Sequence, residues 1–386
     1  MIDLLWMLLP VAAASGWLAA QHRERQRPTK SSWSPDYFKG LNYLLNEEPD
    51  KAIDVFIKLI EVDSDTVETH LALAVLFRRR GEVNRAIRIH QNLIARPSLH
   101  PQQRNLALFE LGQDYRHAGL LDRAEDLFQE LVASETHQVL ALRQLLEIYQ
   151  QEQDWVKAIH TAQQLAKASH ESKQIEIAQY YCEQAEVHLR HRSDDAALQA
   201  IRHALKNDSN CVRASLLEGQ LALSQRNREQ AILAFQRVEQ QDPDYLTEVI
   251  EPLQTCYQAL GKQPEFTRYL RHVLKYHGGI TPMLMLANLI EQQQGEQQAA
   301  DFIVKQMHKQ PSLRGLDHLL DLALSKTEII THDHLLLLKE IMRQLLKNKP
   351  AYKCRQCGFT ARRLHWQCPS CQQWNTLKPI QGIDGE

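Results

Sequence analysis

Glycine and proline are scarce, 14 of each in 386 residues, too few for an all-β chain full of tight turns. Charge of one sign is not in excess either. Lys and Arg total 45 against 47 Asp and Glu, a formal net charge of −2, which argues against a surface built to coat nucleic acid. Cysteines number seven, and four of them crowd between positions 354 and 371, unlike a secreted disulfide framework. No Walker-type phosphate loop, HExxH pair, GxSxG turn or dinucleotide-binding glycine pattern occurs. Histidine is plentiful, yet His188 and His191 have no evident third ligand, and His332 and His334 would not share a helical face. With no catalytic constellation, the chain is expected not to be an enzyme. What is present is ordinary globular composition, 44% apolar and 24% charged, over a length that suggests roughly two to three domains.

One long apolar run stands apart. Residues 4–20 (LLWMLLPVAAASGWLAA) carry no charge, and 17 helical residues span about 26 Å, enough for a thin hydrocarbon core. The alanines at 12–14 resemble a signal-peptide cleavage region, but only Asp3 precedes the run, where a signal peptide wants cations. Arg23, Arg25, Arg27 and Lys30 follow it, so an uncleaved anchor is expected, with its N-terminus outside and the body in the cytoplasm. The expected plan is a transmembrane anchor at 1–20, a basic juxtamembrane linker at 21–34, a repeat array with capping helices at 35–349 and a metal-binding domain at 350–386.

Residues 31–349 are helical in pattern; Ala52, Ile53, Phe56, Leu59 and Ile60 fall on one face. Self-similarity says more. A short turn leads into a small residue at Ala52, Ala86, Ala124, Ala158, Ala197, Ala231 and Ala300, with Phe266 as a departure. In chain order the spacings are 34, 38, 34, 39, 34, 35 and 34, the tetratricopeptide helix–turn–helix period. Twelve residues before the anchor comes a second small position at Gly40, Ala74, Gly112, Ala185 and Gly219. Three further on lies a ring position filled by Tyr43, Phe77, Tyr115, Tyr149 and Tyr257, expected to wedge into the next repeat. The Leu-rich stretch 317–346 reads as a final capping helix pair before Pro350. Such an array is a binding scaffold. Arg78, Arg79 and Arg116 fall near the inner ends of first helices, where they could grip an acidic partner segment.

At the far end the chain reads CRQCGFTARRLHWQCPSC. Cys354 and Cys357, then ten residues, then Cys368 and Cys371, are the two Cys-x-x-Cys turns of a tetrahedral thiolate site. Gly358 suits a left-handed conformation behind the first turn, and Pro369 stiffens the second. The turns resemble those of rubredoxin-type zinc ribbons, although Gln372 stands where these usually carry a second glycine. Tyr352, Phe359, Trp366 and Trp374 are expected to form a miniature core around the ion. Zinc is favoured because no redox partner site is evident, with iron left open. Four thiolates leave no place for water, so the site reads as structural. Cys182, Cys211 and Cys256 read as small core residues.

Nearly end to end, the chain resembles the lipopolysaccharide assembly protein B family of Gram-negative bacteria. The likeness is most specific at LLPVAAA (8–14), GEVNRAIRIHQ (81–91), DRAEDLF (122–128), LQTCYQ (253–258), CGFT (357–360) and WQCPSC (366–371). That resemblance implies an inner-membrane, cytoplasm-facing adaptor that restrains lipopolysaccharide synthesis. It would help a membrane-bound AAA+ metalloprotease degrade the deacetylase that commits carbon to lipid A, opposed by a hydrolase-like membrane sensor. The family's metal ligands correspond to Cys354, Cys357, Cys368 and Cys371. A non-proteolytic scaffold for the biosynthetic enzymes is the alternative. RNA binding is disfavoured, since Arg355, Arg362 and Arg363 are few. Whether the chain forms a homodimer is left open.

The near-neutral total hides segregation. Residues 21–30 carry +3, residues 351–386 carry +3 and Asp3 carries −1, which leaves −7 for residues 31–350 of the formal −2. A basic ribbon suits either an acidic array or the −2 of a zinc tetrathiolate.

Overall fold

The computed structural model describes residues 38–40, 42, 43, 46, 48–62, 67–97, 99–134, 136–324, 336, 337, 339–344, 349–382 and 385. The apolar run at 4–20, the basic linker at 21–34 and part of the 317–346 stretch lie outside them. Among the described residues no helix is long and apolar enough to cross a membrane. The fold is all-α apart from a small C-terminal ribbon. The chain divides into two compact bodies, one up to Ala141 and one from Leu142.

The first body contains α1 (Pro49–Val62), α2 (Val67–Arg79), α3 (Val83–Ile94), α4 (Pro101–His117) and α5 (Leu121–Val132), and α6 (Gln138–Glu152) begins at its end. The second continues with α7 (Trp155–Ser169), α8 (Gln174–Arg190), α9 (Asp194–Asn207), α10 (Val212–Ser224) and α11 (Arg228–Gln241). A 3-10 turn, Pro243–Tyr245, leads into α12 (Leu246–Ala259), followed by α13 (Gln263–Tyr276), α14 (Ile280–Gln294), α15 (Glu296–Met307) and α16 (Leu313–Leu324). Gly278 and Gly279, both at positive φ, separate α13 from α14. The first capping helix, α16, starts ahead of the expected Asp317.

The anchors explain the repeat. Ala52, Ala86, Ala124, Ala158, Ala197, Ala231 and Phe266 are each the fourth residue of their helix, and each is buried. In the last repeat the fourth residue is Ala299, fully buried, whereas Ala300 is only half-buried. The anchor there is one residue earlier than its sequence neighbour suggested, because α15 follows Gly295 directly. This register restores Ala287, buried on α14, as the small partner twelve residues before it.

Those small residues make room for the side chain four past the anchor. A methyl group placed on Gly40, Gly112 or Gly219 would come within 2.7, 2.7 and 2.4 Å of the rings of Phe56, Phe128 and Phe235. Glycine on the first helix therefore lets a phenylalanine of the second fill the gap, a steric exchange inside each of these three repeats. The ring position carries a cation from the residue before the anchor of its own repeat: Lys51 over Tyr43, Arg85 over Phe77, Arg123 over Tyr115 and Lys157 over Tyr149. Two hydroxyls reach backward, Tyr115 accepting from Gln91 at 2.9 Å and Tyr257 from Gln236 at 3.0 Å.

The ribbon is a three-stranded antiparallel sheet in the order β2-β1-β3, with β1 at Tyr352–Cys354, β2 at Thr360–Ala361 and β3 at Leu377–Pro379. Tyr352 pairs with Ala361 on one side and Pro379 on the other.

Candidate metal centre

Two matched turns build the site. In the first, Gly358 N–H donates to the Cys354 carbonyl at 3.0 Å and Cys354 N–H to the Phe359 carbonyl at 2.7 Å. In the second, Gln372 N–H donates to Cys368 at 2.8 Å and Cys368 N–H to Gln373 at 2.9 Å. Equivalent positions then need the same left-handed backbone, and Gly358 has φ +79° while Gln372 has +56°. Gln372 thus adopts the glycine conformation of the motif without being glycine, at a cost of about 1 kcal/mol.

The four sulfurs converge. All lie within 4.8 Å of one another, with Cys354 to Cys371 at 3.8 Å and Cys357 to Cys368 at 3.7 Å. A tetrahedron with metal–sulfur bonds near 2.3 Å requires sulfurs roughly 3.8 Å apart, so the donor set fits one zinc-sized ion with all positions filled by thiolate. Burial pushes the Cys354 thiol up, but the Thr376 hydroxyl and the Cys357 and Gln356 amides outweigh it and hold the thiol below its ordinary range. The Phe359 amide chiefly lowers Cys357. Both effects favour the thiolates a metal needs.

Only half of the expected miniature core packs around the four cysteines. Tyr352 and Phe359 pack beside Cys354, Cys368 and Leu377. Trp366 instead joins the apolar core of α10–α16, its ring 5.4 Å from that of Tyr245. Trp374 stands edge-on to Tyr180 at 5.8 Å and to Trp155 at 6.5 Å, and its indole donates to Gln150 at 3.3 Å. A sheet this small cannot bury four large aromatics, so two pack against the array, Trp374 buried and Trp366 half-buried.

The seat is acidic. Arg355 pairs with Asp244, Lys378 with Asp242, and the Tyr352 hydroxyl donates to Glu248 at 2.5 Å. Between them lies Tyr245, fully buried, which donates to the Leu377 carbonyl at 2.8 Å. Burial, then Asp242 and Asp244, push its phenol pKa up, so it stays a donor. The contrast between basic ribbon and acidic array anticipated this union; the individual partners, more than 100 residues apart, carried no local signal.

The three candidate arginines fare differently. Arg78 is only 12% exposed and pairs within its own chain, with Glu110 at 2.6 Å and Asp114 at 2.8 Å on α4. Arg79 is exposed and Arg116 half-buried. Asp114 also meets buried His90 at 2.6 Å. His90 occupies the place four past the anchor where the other repeats carry an apolar residue, Phe in three of them, a signal of this polar cluster that the repeat pattern contained.

Comparison with known proteins agrees with this architecture. The family model described as rubredoxin metal binding domain matches residues 352–379, and tetratricopeptide repeat models match 69–104 and 182–245. A protein of Escherichia coli (strain K12) named lipopolysaccharide assembly protein B is 41% identical over 388 residues, covering 100% of both chains. Its namesake in Haemophilus influenzae is 36% identical over 391 residues, covering 98% of each. Among solved structures, the C-terminal part of a TPR repeat-containing protein from Cytophaga hutchinsonii is 13% identical with a TM-score of 0.40, covering 63% of this chain and 96% of that one.

Proposed function

We infer from membership of the lipopolysaccharide assembly protein B family, to which this chain belongs, that it is an adaptor in the control of lipopolysaccharide synthesis. Residues 4–20 hold it in the bacterial inner membrane, N-terminus outward, with the body in the cytoplasm. The array captures the lipid A-committing deacetylase and presents it to a membrane-bound AAA+ metalloprotease; a membrane sensor opposes this. Anchoring scaffold and protease in one membrane raises the effective concentration of whatever the array holds. The chain itself does no chemistry in this reading. Its metal is a structural staple for a ribbon too small to fold unaided.

The observation that carries the reading is the full-length likeness to relatives named for lipopolysaccharide assembly, on a repeat fold made for binding. Deacetylase half-life after depletion of this protein tests it. The adaptor reading predicts a longer half-life, and a non-proteolytic scaffold predicts no change.

A further inference from the structure

Two cysteines outside the metal centre lie together in the second body. Cys182 is on α8 and Cys211 caps the N-terminus of α10; both are completely buried, with their sulfurs 3.7 Å apart. Both are core residues, as their sequence context suggests, and they also touch each other. Gln179 Nε2 donates to the Cys211 sulfur at 3.6 Å, and Arg213, two residues on, is itself buried. Cys211 has extended backbone angles, φ −72° and ψ 92°.

We propose that Cys182 and Cys211 form a redox-modifiable pair that closes an intramolecular disulfide between α8 and α10 when a peroxide-class oxidant reaches it. Cys211 is the attacking sulfur. A helix N-terminus and a guanidinium both stabilise a thiolate there. Its hydrogen bond with Cys182 chiefly holds its thiol below the ordinary range, with the Ala214 amide adding to this against burial. Burial, followed by the Cys211 interaction, keeps Cys182 protonated.

In the first step the Cys211 thiolate attacks one peroxide oxygen. The O–O bond breaks, an S–O bond forms and hydroxide leaves; sulfur is oxidised by two electrons and the peroxide reduced. Cys182 then attacks the Cys211 sulfenic acid, an S–S bond replaces S–O, and its proton leaves with the departing hydroxyl as water. The sulfurs must close from 3.7 Å to about 2.05 Å. Access requires local opening of the α8–α10 corner, which hydrogen peroxide, little larger than water, can exploit. A reducing cytoplasm would reverse the bond, giving a transient mark.

The consequence reaches the ribbon. The Arg213 guanidinium pairs with Glu183 at 2.9 Å and Glu186 at 2.6 Å and lies 6.0 Å from the Trp366 ring. Tying Cys211 to α8 fixes the backbone that carries this arginine, so oxidation is felt where the ribbon rests on the array.

The test treats the full-length, zinc-loaded protein with hydrogen peroxide and maps peptides by mass spectrometry. The expected product is a Cys182–Cys211 linked peptide, lighter by about 2 Da for two lost hydrogens, formed before the equally buried Cys256 is modified. In Cys182→Ala, dimedone should trap a sulfenic acid on Cys211. In Cys211→Ala, Cys182 should remain unlabelled. Modification of Cys256 first, absence of the linked peptide, or dimedone labelling of Cys182 in Cys211→Ala would overturn the proposal.

Discussion

The Tyr245 hydroxyl lies 2.8 Å from the Leu377 carbonyl oxygen and 3.1 Å from Asn375 Oδ1, so one buried phenol of the array holds both residues that flank Thr376. The Thr376 hydroxyl is 3.3 Å from the Cys354 sulfur. Array, ribbon and metal site are therefore joined by three consecutive residues, and outer contacts of this kind orient ligands and tune metal affinity.

Tyr245→Phe removes the donor while keeping the ring against Trp366. It leaves the Leu377 carbonyl unpaired, at a cost of about 1–3 kcal/mol. Because binding and seating are linked, metal affinity should fall by roughly tenfold for each 1.4 kcal/mol lost. Competition with a chromogenic chelator measures this. Unchanged affinity would separate the seat from the metal.

Gln372→Gly acts in the opposite direction. At φ +56° glycine relieves left-handed strain, and the expected gain is about 0.5–1 kcal/mol. It should appear as slower chelator-driven metal release. Faster release would mean that the Gln372 side chain contributes more than its backbone costs.

Gly219→Ala tests the steric exchange inside a repeat. The new methyl would sit 2.4 Å from the Phe235 ring, which must move, and the loss should be about 1–3 kcal/mol. The midpoint of urea unfolding reports it. Pairing the change with Phe235→Leu should recover part of the loss; failure to recover any would contradict the volume match.

Asp114→Ala leaves both Arg78 and His90 without their shared carboxylate in the interior of the first body. Breaking a buried ion pair by removing one partner costs about 3–5 kcal/mol. Hydrogen exchange across α2–α4 should rise sharply. An unchanged exchange pattern would show that Glu110 suffices for Arg78.

Much of this architecture was legible because it is local. The 34-residue period follows from a small residue at the fourth position of the second helices, Phe266 excepted, and four cysteines in 18 residues announce their tetrahedron. Legibility ended where a residue's partner is distant. Arg78 looked available until Glu110 and Asp114, more than 30 positions on, met it. Trp366 and Trp374 looked like ribbon core until Tyr245 and Tyr180 proved to be their neighbours. Ala300 looked like an anchor because spacing alone cannot see that Gly295 starts its helix early. Opposite charge on the two segments supplied the sign of their union but not its atoms.

Reconstitution tests the central claim most directly. The purified protein, the AAA+ metalloprotease and the lipid A deacetylase are placed together in membrane vesicles, and deacetylase is followed over time. Intact protein should accelerate its loss, and Cys371→Ser, which opens the metal site, should not. Equal rates with and without the protein would contradict the adaptor account.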